Sequence, residues 1–155
     1  MSTVVEQVWA SLAHLTDPEI PVVTLRELGI LRDVTETPDG VEVVITPTYT
    51  GCPAMGQIED DVRGALDKAG IAARVITRLA PAWTTDWISD EAKEKLRVYG
   101  IAPPHTTRPD VSVVKFMRHR PAPDAVACPR CGSTHTVVSS QFGSTACKAL
   151  YKCLD

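Results

Sequence analysis

The pattern CPRCG at residues 128–132 constrains the fold of this chain more than any other feature. Two thiolates three positions apart around a tight turn can face one metal ion, and Gly132 relieves the turn. A thioredoxin-like redox pair is the alternative, but that motif begins a helix that follows a strand. Here the pattern follows a proline-rich stretch and precedes residues 135–153, which read as a hairpin with its turn near Gly143-Ser144. We therefore predict a zinc-ribbon-like β-hairpin.

The ligand set of this ribbon is incomplete in the sequence. A ribbon closes with a second Cys-x-x-Cys, and Cys153 stands where that pair begins, but the sequence stops at Asp155, one residue short. The fourth ligand is therefore expected either to be lost through truncation or to be borrowed from Cys147. Six residues of strand span about 20 Å, whereas two ligands of one zinc lie within about 4 Å, so Cys147 and Cys153 can share an ion only across a bend. We expect Cys128, Cys131 and Cys153 as ligands, Cys147 as an alternative fourth, and a ribbon that serves as a structural staple but is loose without its full set.

Residues before the ribbon alternate between helical and strand patterns. Val4, Val8, Leu12 and Leu15 share one face of a helix, and the run Thr37–Gly40 is a turn signal between two strands. The predicted helices cover residues 3–15 and 53–69, with a third capped by Ser89 and closed by Gly100. The predicted strands cover residues 28–36, 41–46 and 72–79. This order predicts an α/β (α+β) sandwich, a small mixed sheet with helices packed on it, and leaves the strand order open.

Composition suggests how the chain divides. We predict an α/β domain over residues 1–102, a proline-rich linker over 103–125 with a short strand at Val111–Phe116, and the ribbon segment over 126–155. The linker holds a small basic cluster that we interpret as solvated surface: Lys115, Arg118, His119 and Arg120.

Cys52 is the other cysteine with a distinctive position. It follows Gly51 and directly precedes the helix that we expect to begin at Pro53. The amino end of a helix carries partial positive charge and free N–H groups, which favour a thiolate. An ordinary buried cysteine is the alternative. No histidine is near in sequence, so hydrolase chemistry has weak support.

Carboxylates and tryptophans supply the remaining candidates. Asp17 and Glu19, in the segment DPEIP, can cap a turn or approach the Cys52 loop, and we interpret Asp17 as a turn residue. Trp83 and Trp87 precede the third helix, and we expect lid or core packing from them rather than ligand stacking.

Charge and hydropathy exclude several classes of function. The net charge is −3, which gives no general attraction to nucleic acid or anionic membrane. No stretch approaches the roughly 20 apolar residues that span a bilayer, and the amino terminus does not resemble a secretory signal. We expect a cytoplasmic protein, in which five cysteines indicate metal or thiol chemistry rather than disulfides.

The longer motifs resemble a known family. DPEIPVVTLRELGI and TPTYTGCPAMGQI are similar to the SufT-like iron–sulfur-assembly domain over residues 5 to about 79. The later segments PAWTTDWISDEAKEKLRVYGIAPP and CPRCGS…FGSTACKALYKC resemble the PaaD subgroup, accessory proteins of the multicomponent phenylacetyl-CoA epoxidase of aerobic phenylacetate breakdown. The resemblance implies that Cys52 is the cluster-handling or partner-reactive cysteine, that Asp17 and Glu19 form the acidic motif of the family, and that the ribbon cysteines bind zinc.

The implied role is maturation or maintenance of metal centres in the epoxidase system, without independent catalytic activity. The implied partners are epoxidase components or their iron–sulfur reductase, and a homodimer is a further option. One thiolate cannot hold an iron–sulfur cluster, which takes about four, so any cluster on Cys52 is expected to be transient. The alternatives are a non-catalytic docking component of the epoxidase complex, with a structural or regulatory role, and, more remotely, a thiol enzyme with Cys52 as nucleophile.

Overall fold

Two separate β-sheets and three helices make up the computed structural model, which describes residues 3–104, 125–145 and 147–155. Strands β1, β2 and β3 form one sheet in that order, with β1 and β2 antiparallel and β2 and β3 parallel; β4 and β5 form a separate antiparallel hairpin. The predicted α+β class, the mixed sheet and the carboxyl-terminal hairpin are confirmed. The elements are α1 (Val4–Leu12), β1 (Leu31–Thr37), β2 (Gly40–Ile45), α2 (Met55–Lys68), β3 (Ala73–Thr77), α3 (Asp90–Tyr99), β4 (Thr136–Ser140) and β5 (Leu150–Cys153).

The hydrophobic core joins the three-stranded sheet to the helices. Strand β2 lies in the middle of the sheet and is its most buried strand, because it pairs on both edges. Helix α1 buries Val8 and Leu12 of its predicted apolar face, and α2 buries three residues of its own stripe. The loop that carries Cys52 therefore leaves a fixed central strand. The core side chains of β2 and α2 are Val41, Val43, Ile45, Ile58, Val62 and Leu66.

Helices α1 and α2 are both shorter than predicted. Helix α1 begins with a capping box, in which the Thr3 N–H donates to Glu6 Oε2 (2.9 Å) and the Glu6 N–H donates to Thr3 Oγ1 (3.2 Å). It ends at Leu12 rather than at residue 15, because the following chain turns back to form the Thr16–Thr24 bridge. Helix α2 begins at Met55, so the prediction that Pro53 opens the helix is wrong: Pro53 lies in the turn closed by the Met55 N–H and the Cys52 carbonyl (3.3 Å).

Strand β1 starts three residues later than predicted because Gly29 adopts a left-handed conformation (φ +75°). A Cβ on Gly29 would lie 2.6 Å from Trp87 Cβ and 2.9 Å from the Trp87 carbonyl oxygen. The chain thus turns at Gly29, where a side chain has no room, before the extended strand begins.

The segment before α3 packs on the core. The Trp83 indole N–H donates to the Leu28 carbonyl (2.8 Å), and the Arg32 guanidinium lies 3.5 Å from the centre of the Trp87 ring. Ser89 caps α3 by accepting from the Ala92 N–H (3.1 Å), and Gly100 closes it at φ +101°. The predicted packing role of the tryptophans and both predicted caps of this helix agree with these contacts.

Several predictions fall on the segment 105–124, outside the described residues: the strand at Val111–Phe116 and the basic cluster of Lys115, Arg118, His119 and Arg120. The division at residues 102 and 125 stays a prediction. Among the described helices, none is long and apolar enough to cross a membrane.

Candidate functional site

Cys52 lies in a tight turn between the central strand and α2. Its N–H donates to the Tyr49 carbonyl (3.2 Å), and its carbonyl accepts from the Met55 N–H (3.3 Å). The side chain is half-buried and lines a cavity of about 820 Å³. The thiol is therefore held in place and still reachable from the cavity.

The acidic motif borders the same cavity. Asp17 Oδ1 accepts the backbone N–H groups of Glu19 (2.8 Å) and Ile20 (3.0 Å), so this side chain fixes its own turn. Asp17 and Glu19 both line the cavity with Cys52. The two carboxylates thus reach the Cys52 loop, and Asp17 is also the turn residue that its sequence position indicates.

The pKa of Cys52 is raised, whereas its position before a helix favours a lowered pKa. Burial raises the pKa of the Cys52 thiol above its ordinary value, and the acidic side chains nearby, Cys147, Asp17 and Glu19, raise this pKa further. A backbone hydrogen bond from Ala54 lowers it, as the position before a helix suggests, but does not compensate. The direction of this shift runs against the thiolate that the helix terminus favours and agrees with the alternative of a buried cysteine.

We expect alkylation of Cys52 by iodoacetamide to be slow at neutral pH and to accelerate with a midpoint above about 8.5, the ordinary cysteine value. The thiolate is the reactive form, and the raised pKa keeps it scarce at neutral pH. Mass spectrometry of the Cys52 peptide across a pH series measures the profile, with the peptide of the unfolded chain as the reference. A midpoint below that of the unfolded chain would contradict the expectation.

Cys147 lines the same cavity as Cys52, as do Cys128 and Cys153. It lies in the loop before β5, exposed, with its Sγ 3.0 Å from Thr145 Oγ1, and it lines the cavity that Cys52 lines. The next residue, Lys148, places its Nζ 3.7 Å from Glu19 Oε2. Among the described residues, the metal-competent group contains Cys128, Cys131 and Cys153, and the identity of a fourth ligand stays a prediction.

The three remaining cysteines lie close enough together to hold one metal ion. The Sγ atoms of Cys128, Cys131 and Cys153 all lie within 4.8 Å of one another, and those of Cys131 and Cys153 are 3.6 Å apart. Thiolates on one tetrahedral zinc are about 3.8 Å apart, from Zn–S bonds of about 2.3 Å. The spacing fits a thiophilic ion, which these three sulfurs would hold. The ion would then cross-link the CPRCG turn at residues 128–132 to β5.

Backbone N–H groups of the CPRCG turn lower the pKa of Cys128. Backbone hydrogen bonds from Cys131 and Arg130 lower the pKa of Cys128 to about 7, with a further contribution from the neighbouring thiols. Gly132 closes the turn at φ +75°, and its N–H donates to the Cys128 carbonyl (2.8 Å). A thiolate is thus available at neutral pH, as a metal ligand must be.

Two family models match the chain. Residues 5–75 match the iron-sulfur cluster assembly protein family, and residues 115–155 match the PaaD zinc beta ribbon domain. The chain is 45% identical over 150 residues to a protein of Escherichia coli (strain K12) that is named as a putative component of 1,2-phenylacetyl-CoA epoxidase, with 96% of this chain and 86% of that protein covered. The chain belongs to the PaaD family.

The amino-terminal part of this PaaD-family chain has further relatives. It is 34% identical over 94 residues to an Fe-S protein maturation auxiliary factor of Porphyromonas gingivalis, covering 59% of this chain and 89% of that protein. A domain of unknown function (DUF59) from Bacillus anthracis, solved by crystallography, superposes with a TM-score of 0.55 at 30% identity, covering 59% of this chain and 90% of that structure. The cavity of this PaaD-family chain therefore joins both matched parts: Cys52, Asp17 and Glu19 come from the first, and Cys147 comes from the second.

Proposed function

We propose that this chain is an accessory protein that handles iron or an iron–sulfur cluster during maturation or maintenance of the metal centres of a phenylacetyl-CoA epoxidase. The observation that carries the proposal is the half-buried thiol of Cys52 on the wall of a cavity with two carboxylates. The relatives named as an epoxidase component and as an Fe-S protein maturation factor support the two parts of this role.

The chemistry of the cavity suits a metal cargo that is bound and later released. The raised pKa keeps the Cys52 thiol protonated up to a higher pH than in an ordinary cysteine, and an incoming cation must displace that proton. Asp17 and Glu19 supply negative charge for the cation at the same wall. A site that must be deprotonated during loading binds less tightly than a preformed thiolate site, which favours release to a client.

The ribbon metal has a separate, structural role in this proposal. Zinc suits three thiolates at the spacing found for Cys128, Cys131 and Cys153, and it has no redox chemistry to interfere with iron. Its task is to hold the hairpin that forms part of the cavity wall. The client would be an epoxidase component or its iron–sulfur reductase.

A docking role is the second candidate, and the ribbon hairpin favours it. Apolar side chains stand exposed on and around this hairpin, in a part of the chain too small to bury them. Trp83 and Trp87, by contrast, are engaged within the chain by Leu28 and Arg32. A docking surface would therefore lie on the hairpin, among Val137, Val138, Phe142, Leu150, Tyr151 and Leu154.

Nucleophilic thiol catalysis has no support in the cavity. A neutral thiol is a poor nucleophile without a base, and the raised pKa of Cys52 makes it poorer. The described histidines, His14 and His135, do not line the cavity.

Replacing Cys52 with serine is expected to lower epoxidase maturation at least tenfold while leaving the fold intact, since the change removes one sulfur from a half-buried site. The measurement is epoxidase activity, together with the iron and sulfide content of its reductase, in cells whose only copy of this protein is the variant. Thr50→Ala, an exposed change in the same loop, is the matched control.

Two other results separate the candidates. Wild-type iron and sulfide content and activity in the Cys52→Ser strain would remove the maturation role. Loss of activity with full metal content would favour the docking role instead.

A further inference from the structure

We propose that the ribbon hairpin shields Cys52, and that the ribbon metal and the ion pair between Lys148 and Glu19 together hold it in the shielding position. Loss of the ribbon metal then uncovers the Cys52 thiol. This inference goes beyond the proposed function, because it concerns what controls access to the thiol and holds for any cargo or partner of Cys52.

Five consecutive residues of the ribbon line the cavity that Cys52 lines. They are residues 147–151, which we call the shielding segment, and they run from the loop before β5 into that strand. The α/β part supplies the turn of Cys52 and the acidic motif to the same cavity. Because the Cys52 side chain is half-buried there, access to its thiol depends on where the shielding segment lies.

One ion pair fastens the shielding segment to the α/β part. Lys148 Nζ lies 3.7 Å from Glu19 Oε2, and in the described part of the chain no other ion pair joins the ribbon to the α/β part. The two side chains are 26% and 32% exposed, so water and salt screen their attraction less than that of a fully exposed pair. The pair therefore suits a contact that sets the orientation of the hairpin.

Both partners of this ion pair are held by their own turns. The Lys148 carbonyl accepts from the Gly143 N–H (2.5 Å), a hydrogen bond that closes the loop between β4 and β5 onto Lys148. On the other side, the Glu19 N–H donates to Asp17 Oδ1 (2.8 Å). The ion pair thus joins two braced turns rather than two free side chains, and it couples the position of the hairpin to the acidic motif.

The ribbon metal determines whether the hairpin can act as a shield. Strands β4 and β5 have five and four residues and form a sheet of their own, and such a hairpin is marginally stable by itself. An ion on the three ribbon cysteines would join the CPRCG turn to β5 and contribute folding free energy. One ion pair contributes far less than a structural zinc site, so without the metal it cannot keep the shielding segment beside Cys52.

The test measures alkylation of Cys52 in the full chain, with one zinc ion bound and after a strong chelator, by mass spectrometry of the Cys52 peptide. The readout is the rate with a bulky maleimide divided by the rate with iodoacetamide, because the thiolate fraction affects both rates and cancels. Chelation is expected to raise this ratio about tenfold while β1–β3 keep their amide protection. Lys148→Met is expected to raise it about threefold with zinc bound and to add little after chelation, since both changes release the same segment.

Lys152→Met is the matched control, because it removes an exposed lysine of β5 that is not part of the ion pair; its ratio should equal that of wild type. An unchanged ratio after chelation, or a wild-type ratio in zinc-loaded Lys148→Met, would overturn the inference. A raised ratio with lost protection of β1–β3 would also overturn it, since unfolding of the α/β part would then expose Cys52. The proposed function is tested separately, by maturation in cells, so either can fail alone.

Discussion

Replacing Gly29 with alanine is expected to lower the free energy of unfolding by about 2–5 kcal/mol. A left-handed conformation costs a residue with a side chain about 1–2 kcal/mol, and forcing atoms into a filled space costs about 1–3 kcal/mol more. The added Cβ would lie 2.6 Å from Trp87 Cβ and 2.9 Å from the backbone oxygen of Trp87, neither of which is the end of a flexible side chain. The segment from Trp83 to Ile88 must then shift, and it forms part of the cavity wall.

Urea denaturation followed by tryptophan fluorescence measures this effect cleanly. All three tryptophans, Trp9, Trp83 and Trp87, precede the ribbon, so their signal reports the α/β part alone. Gly64→Ala is the matched control, because a Cβ there meets nothing within 4 Å and alanine in a helix interior is favoured by about 1 kcal/mol. If Gly29→Ala unfolded within about 0.5 kcal/mol of wild type, the close approach to Trp87 would be disproved.

Removing the ribbon metal is expected to abolish the structure of the β4–β5 hairpin. The hairpin has two short strands and many exposed apolar side chains, so it cannot support itself by burial. Structural zinc contributes about 10–16 kcal/mol in small zinc-binding peptides. Cys131→Ser, or a strong chelator, should therefore raise amide hydrogen exchange in Thr136–Ser140 and Leu150–Cys153 to the rate of unfolded chain.

Exchange in the rest of the chain provides the comparison. Strands β1–β3 have their own core and should keep their protection, and Ser139→Ala on the same hairpin should leave all protection unchanged. Persistent protection of β4 and β5 in metal-free protein would show that the hairpin is held by other contacts.

The sequence predicted well those features of helices and strands that depend on residues close together in the chain. The apolar face of Val8 and Leu12, the turn before Gly40, and the caps at Ser89 and Gly100 all depend on residues a few positions apart. The start of β1 was predicted too early because the constraint on Gly29 comes from Trp87, which is distant in sequence. The parallel pairing of β2 with β3 is likewise a long-range choice that periodicity does not record.

The candidate site divides in the same way. The positions of Cys52 and of the CPRCG turn follow from their neighbours in sequence. The raised pKa of Cys52 does not, because it depends on burial and on side chains from two other segments. The position of the loop of Cys147 was missed for a related reason, because nothing local indicates that Lys148 in this loop pairs with Glu19.

The parallel pairing of β2 and β3 has a consequence for how such cavities diversify. Because parallel neighbours require a crossover, the chain passes through residues 46–54 and α2 before β3 aligns with β2 at pairs such as Val43 and Val75. Insertions at residues 50–51, the exposed part of that segment, would lengthen the path without altering the strand register. Natural selection, or a protein engineer, can therefore vary these positions beside Cys52 on an unchanged scaffold.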